Sequence, residues 1–130
     1  MQDFQLGVQR DFVAQHFLIG GDWGAENERH SHHYRLELVL TNDELDEHRY
    51  LVDIVRVKQC LDEQIARYRD RTLNELDAFQ GVNPSLEEFA RVLARELAHE
   101  LADQPVSALK VKLWEDEDCW ASYRIDLGKA

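Results

Sequence analysis

A chain of 130 residues, 44% of them hydrophobic, has the material for a single domain spanning 1–130 with a core of its own. Its 26 acidic residues against 15 basic ones give a net charge of -11, a field that excludes binding to nucleic acid or to anionic membranes through overall charge. No apolar run approaches the ~20 residues of a membrane span and no basic-then-apolar leader opens the chain, so the expectation is a cytoplasmic protein off the membrane.

The extended pattern of residues 3–18 reads as one long strand or a bent pair, with the stretch FVAQH ending on His16. Gly20, Gly21 and Gly24 then punctuate a loop that carries Trp23. A second strand is expected over 30–41. In it His30, His32, Tyr34, Leu36, Leu38 and Leu40 share one side, while His33, Arg35, Glu37 and Val39 face the other. Two imidazoles one residue apart on one side of a strand form a metal claw, and His16 on the preceding segment can bring a third nitrogen to the same ion across an antiparallel pair. Three nitrogens and one open position are the coordination of a catalytic zinc. His33 points away and is set aside as a ligand.

After a polar connector, a short extended run YLVD precedes Ile54, Val57, Leu61, Ile65 and Tyr68 at helical spacing, with Asp53 as the N-cap. An irregular segment, RDRTLNELDAFQGVNP, leads to a second helix. That helix opens on Ser85 and Glu88 in capping-box register and carries Leu86, Phe89, Leu93, Leu97 and Leu101 on one face. The remaining chain reads as a hairpin of 106–115 and 120–127 around an acidic turn. The two cysteines, too few for a disulfide framework, are expected as free thiols, Cys60 packed in the first helix and Cys119 following the turn. The order ββααββ is an α+β fold: a four-stranded antiparallel sheet with two helices on one face. Its unpaired edges argue for edge-to-edge assembly into an oligomeric barrel.

Taken in order, FVAQH, HSHHYRLEL, YLVDI, TLNEL, NPSLEEFA and VKLWE resemble the signature of the 6-pyruvoyl-tetrahydropterin synthase and 6-carboxy-tetrahydropterin synthase family over nearly the whole chain. The resemblance implies the tunnelling fold, in which subunits join their sheets into a trimeric barrel and two barrels stack as a hexamer, with sites between subunits. It implies zinc held by His16, His30 and His32, and a small-molecule pterin as substrate. The family's pterin anchor maps onto Glu115 in VKLWE, and Asn74 in the Leu-Asn step is taken as a second substrate-binding position. A carboxylate at Glu115 can accept two parallel N–H bonds from the 2-amino group and adjacent ring nitrogen of a pterin, each contributing ~1.5 to 3 kcal/mol.

The chain departs from that signature where the family keeps its acid and base. The cysteine four residues before the HxH pair is replaced by Glu26, and the Asp-His pair before Leu-Asn by Arg69 and Asp70. Ser31 stands for the glycine of HGH. Exchanging a thiol for a carboxyl removes up to roughly four pKa units of basicity, about 5.7 kcal/mol of driving force. Some family members with glutamate near this place are thought to cleave the side chain of 7,8-dihydroneopterin triphosphate. The leading expectation is therefore a zinc-dependent lyase acting on the 6-side chain of a reduced pterin, with Glu26, assisted by Asp70, moving the proton. Glu26 has two other readings, as a fourth ligand closing a His3Glu site and as an exposed loop residue. The alternative function is a pterin- or purine-like ligand-binding homologue that keeps the metal site without catalysis, and a third reading is a structural oligomeric domain.

Overall fold

The computed structural model describes residues 2–128. Six elements follow one another: β1 (Phe4–His16), β2 (His30–Asn42), α1 (Ile54–Ala66), α2 (Leu86–Glu100), β3 (Ala108–Trp114) and β4 (Trp120–Asp126). They give the expected ββααββ order. The strands form one antiparallel sheet in the order β1-β2-β3-β4, so the segment carrying both helices returns the chain to the strand beside the one it left.

Strand alternation sets the core. Tyr34, Leu36, Leu38 and Leu40 of β2 are each 1% exposed or less. Phe12 and Val8 of β1 lie opposite Tyr34 and Leu38, and Leu113, Val111 and Leu109 of β3 lie opposite Leu36, Leu38 and Leu40. Both helices cover this side, α2 across β3 and β4 and α1 toward β1, with Val57, Leu61 and Ile65 of α1 and Phe89, Leu93 and Leu97 of α2 buried against it. Each such side chain contributes about 1.5–3 kcal/mol by leaving water. Phe89 sits at the hub of an aromatic cluster, with ring centroids 6.0 Å from Phe12, 5.2 Å from Tyr34 and Tyr68, and 5.7 Å from Phe79. The opposite face is polar, and there Gln9 donates to Glu37, and Arg35 lies 4.3 Å from the centre of the Trp114 ring.

The caps stand where the sequence puts them. Asp53 accepts from the backbone N–H of Val55 and Arg56, and Ser85 from that of Glu88 at 3.1 Å. Replacing Ser85 by alanine is expected to lower stability by about 1 kcal/mol, read as a shift in urea midpoint at constant slope.

Of the two readings of residues 3–18, the single long strand holds, over Phe4–His16. Two local readings change. The run YLVD is not a strand: Leu51 and Val52 bury in bends that lead straight into the α1 cap, because apolar side chains next to a cap pack without pairing. Tyr68 lies beyond the end of α1, in a turn where its backbone N–H reaches Ile65, yet it is 4% exposed and packs as a helical residue would. The free side of β1 is partly covered, Asp70 donating to the Val13 carbonyl and Gln15 to that of Arg71. Among the described residues β4 pairs only with β3, and no helix is long and apolar enough to cross a membrane.

Candidate metal centre and ligand cavity

The register of the first hairpin builds the centre. His16 is the last residue of β1 and pairs directly with His30, the first of β2, while His32 pairs with Ala14 one step inward on the same face. The three rings form a triangle with centroids 4.6 Å (His16–His30), 4.9 Å (His16–His32) and 4.9 Å (His30–His32) apart, each meeting the next edge to face. His33, on the opposite face, lies 3.3 Å from Asp11 instead.

Backbone carbonyls fix which nitrogen of two rings is free. His16 Nδ1 donates to the Pro84 carbonyl at 2.9 Å and His30 Nδ1 to that of Glu28 at 2.7 Å. A carbonyl only accepts, so the proton of each ring is on Nδ1 and the lone pair on Nε2. The Nε2 atoms of His16, His30 and His32 are all buried without a hydrogen-bond partner. Burial pulls the His16 imidazole down to about 4, so at neutral pH it is uncharged. Unpaired lone pairs aimed at one another repel, and a cation among them removes both the repulsion and the cost of the missing hydrogen bonds. With the Glu26 carboxylate, the donor atoms of all three histidines lie within 4.8 Å of one another. Three imidazoles and a carboxylate suit a divalent transition metal, and the residues fit one.

Glu26 arrives on a loop whose shape the sequence reading did not see. The loop between β1 and β2 is tied by Asn27, whose amide donates to the Leu18 and Gly21 carbonyls at 3.0 Å and accepts from the Trp23 N–H at 2.6 Å. The Trp23 ring packs over Gly21, where a Cβ would lie 2.6 Å from it and push the ring aside. This knot closes a short 3-10 turn, Gly24–Asn27, and sets a Glu26 carboxylate oxygen 2.9 Å from His30 Nε2. That contact lacks hydrogen-bond alignment, so His30 Nε2 remains unpartnered. The Asn27 side chain is spent on the loop and does not reach the histidines' work.

Glu115 follows β3 one residue past the Arg35–Trp114 pair, which brings it level with Tyr34 and onto the histidine side of the sheet. Its carboxylate lies 3.9 Å from His32 Nε2. Burial raises its pKa above the usual carboxylate range, with the neighbouring His32 pulling the other way. Tyr34 beneath it is held protonated, chiefly by burial and then by the Glu115 charge. A cavity of about 170 Å³ opens between these groups, lined by His16, Glu26, Ser85, Glu87, Glu115 and Cys119 among others. Ser85 and Glu87 open α2 and Cys119 lies in the β3–β4 turn, all far in sequence from the histidines, and no spacing signal joined them to those residues.

Asn74 and Asp70 stand apart from this cluster. The Asn74 amide accepts from the Phe17 N–H at 3.0 Å and donates to the Phe17 carbonyl at 2.8 Å, clasping the backbone that follows His16. Asp70 is exposed in a left-handed turn, φ 61°, and is not gathered with the histidines.

Comparison with known proteins bears on the whole chain. No curated protein matches it in sequence. In structure it is similar to the 6-pyruvoyl tetrahydropterin synthase of Caenorhabditis elegans, with a TM-score of 0.83 at 18% identity over 97% of this chain and 98% of that one. It is also similar to the Plasmodium vivax 6-pyruvoyltetrahydropterin synthase in a form described as a catalytic-residue mutant, a glutamate replaced by alanine, with a TM-score of 0.79 at 16% identity over 97% and 99%. The Plasmodium falciparum enzyme gives a TM-score of 0.76 at 13% identity over 95% and 98%. The family pattern described as 6-pyruvoyl tetrahydropterin synthase matches residues 5–126, and the chain belongs to that family.

Proposed function

We propose that this protein is a zinc-dependent lyase that cleaves the 6-side chain of a reduced pterin of the 7,8-dihydroneopterin triphosphate type, working in the cytoplasm as a homo-oligomer, a trimer or hexamer. The observation that carries the reading is the meeting of three unpartnered imidazole nitrogens with a cavity that Glu115 lines. His16, His30 and His32 are the residues to hold zinc, which when bound lowers the pKa of adjacent substrate hydroxyls and stabilises negative charge on their oxygens. Glu115 anchors the heterocycle: its partly buried carboxylate regains the hydrogen bonds lost to water when it accepts from two ring N–H groups. Glu26 takes the substrate proton. Its half-exposed carboxylate beside the histidines suits that work, and a glutamate is a catalytic residue in the Plasmodium vivax protein. Asn74 contributes to substrate binding by holding Phe17 and thus the end of β1. Asp70, exposed and outside the cluster in its own chain, assists from a neighbouring subunit.

The close approach of Glu26 to His30 favours one second reading, in which the carboxylate closes the site and the protein binds a pterin without turning it over.

Incubating zinc-loaded protein with 7,8-dihydroneopterin triphosphate and separating the products by chromatography tests the lyase. A shortened 6-side chain, lost on chelation and restored by zinc, is the expected result; unchanged substrate after many equivalents of enzyme overturns it. The anchor is tested separately. Glu115→Gln replaces one acceptor by a donor facing a ring N–H, and is expected to weaken dihydroneopterin binding by about 2–3 kcal/mol, or roughly 30- to 150-fold in a tryptophan-quenching titration. Equal affinity in the variant removes Glu115 from the site.

A further inference from the structure

The proposed cleavage takes one proton from oxygen and must give one to carbon, and Glu26 accounts only for the first. Among the groups that line the cavity, Leu18 and Leu86 have no proton to give. The Ser85 hydroxyl, whose oxygen accepts from the Glu88 N–H as the α2 cap, is an alcohol and a far weaker acid than a thiol, and His16 Nδ1–H is held by Pro84 while its Nε2 is committed to the cation. Glu115 is used by the heterocycle, and Glu87 stands in the first turn of α2, where the helix N-terminus favours its negative charge. Cys119 remains, in the β3–β4 turn, with its backbone carbonyl accepting from the Glu115 N–H at 3.3 Å.

Resting on the lyase reading, we propose that the Cys119 thiol faces the bound pterin and delivers the proton that completes the reaction. Two observations support it. The cavity that Cys119 lines is also lined by the 2% exposed His16, whose unpartnered Nε2 belongs to the metal centre, and by Glu26, so the thiol shares a space that adjoins that centre. The sulfur also senses the charges of Glu115, just past β3, and Glu87 on α2, both of which line that space, together with Asp116 and Asp118 of its own turn. Partial desolvation, and then those carboxylates, raise its pKa, and a group that holds its proton at neutral pH while remaining far more acidic than a hydroxyl is suited to give it up to a carbanion.

The step balances without a redox partner. Glu26 removes the hydroxyl proton on the second side-chain carbon. The bond between the first and second side-chain carbons breaks, an aldehyde leaves, and the electron pair passes through the ring C6=N5 bond as an enamine. The first carbon takes the thiol proton, the C6=N5 bond is restored, and the thiolate recovers a proton from Glu26 or water.

The two free thiols make the test internal, since Cys60 is buried in α1 and Cys119 is exposed. Iodoacetamide labelling of each, followed by mass spectrometry with and without 7,8-dihydroneopterin, reads the location. Cys119 labelling is expected to slow about ten-fold with ligand while Cys60 stays unlabelled. Cys119→Ser, its urea midpoint unchanged, is expected to lower kcat about 100-fold with KM within two-fold and to remove the alkaline limb of the kcat profile. Unprotected Cys119 in protein whose tryptophan fluorescence dihydroneopterin still quenches overturns this inference and leaves the pterin reading standing, as does protection with unchanged kcat in the serine variant. Absence of quenching overturns the pterin reading and this inference with it.

Discussion

His16→Ala is expected to strip the protein of its metal: elemental analysis should fall from one zinc per chain to a small fraction, with affinity lowered by more than about 100-fold. Changes to partners one shell out from a metal already cost ten- to a hundred-fold, and loss of a ligand exceeds that. His30→Ala and His32→Ala should do the same, whereas His33→Ala, on the other face of the sheet, should leave the metal in place. Zinc retained in the His16 variant would mean that the buried, unpartnered Nε2 atoms serve something else. The same residue predicts how the metal-free protein responds to acid. His16 titrates near 4 in the fold and near 6.5 when unfolded, so between those values the unfolded chain binds more protons and stability falls as pH falls. The loss is up to about 3 kcal/mol, complete by about pH 4 and absent above about pH 6.5. In His16→Ala that window should flatten, because alanine has nothing to protonate.

The architecture was legible because most of it rests on local pattern. Period-two alternation in β2 fixed both the core face and the three imidazoles that share it, and Asp53 and Ser85 capped their helices where composition put them. Readings failed where tertiary packing overrode pattern. Leu51 and Val52 look like a strand, yet they are buried by the ends of other elements, and Tyr68 keeps helical spacing after the helix has stopped. The site divided in the same way. The histidines were visible because two lie on one strand and the third at the end of its neighbour. The Asn27 knot, the Pro84 carbonyl behind His16 and the Cys119 wall came together only through folding, since a loop closure and a cavity have no periodicity to read.

Replacing Glu26 by glutamine separates the two readings of the site, because they predict opposite signs. The amide preserves size and the hydrogen bonds of its turn but cannot take a proton at neutral pH. If the carboxylate is the base that removes the substrate's hydroxyl proton, Glu26→Gln should keep one zinc per chain, leave dihydroneopterin affinity within a few-fold, and lower kcat by about 100- to 10,000-fold, the range in which a positioned base contributes. If instead it is the fourth ligand of a closed site, the zinc affinity should drop and the open position should admit the side-chain hydroxyls more readily, so any turnover would rise. The pH profile adds a third readout: a general base imposes an acid limb on kcat, and that limb should disappear with the carboxylate. Metal, KM and kcat all unchanged would place Glu26 outside the chemistry despite its 2.9 Å approach to His30, and the proton would then have to leave through Asp70 of a neighbouring chain.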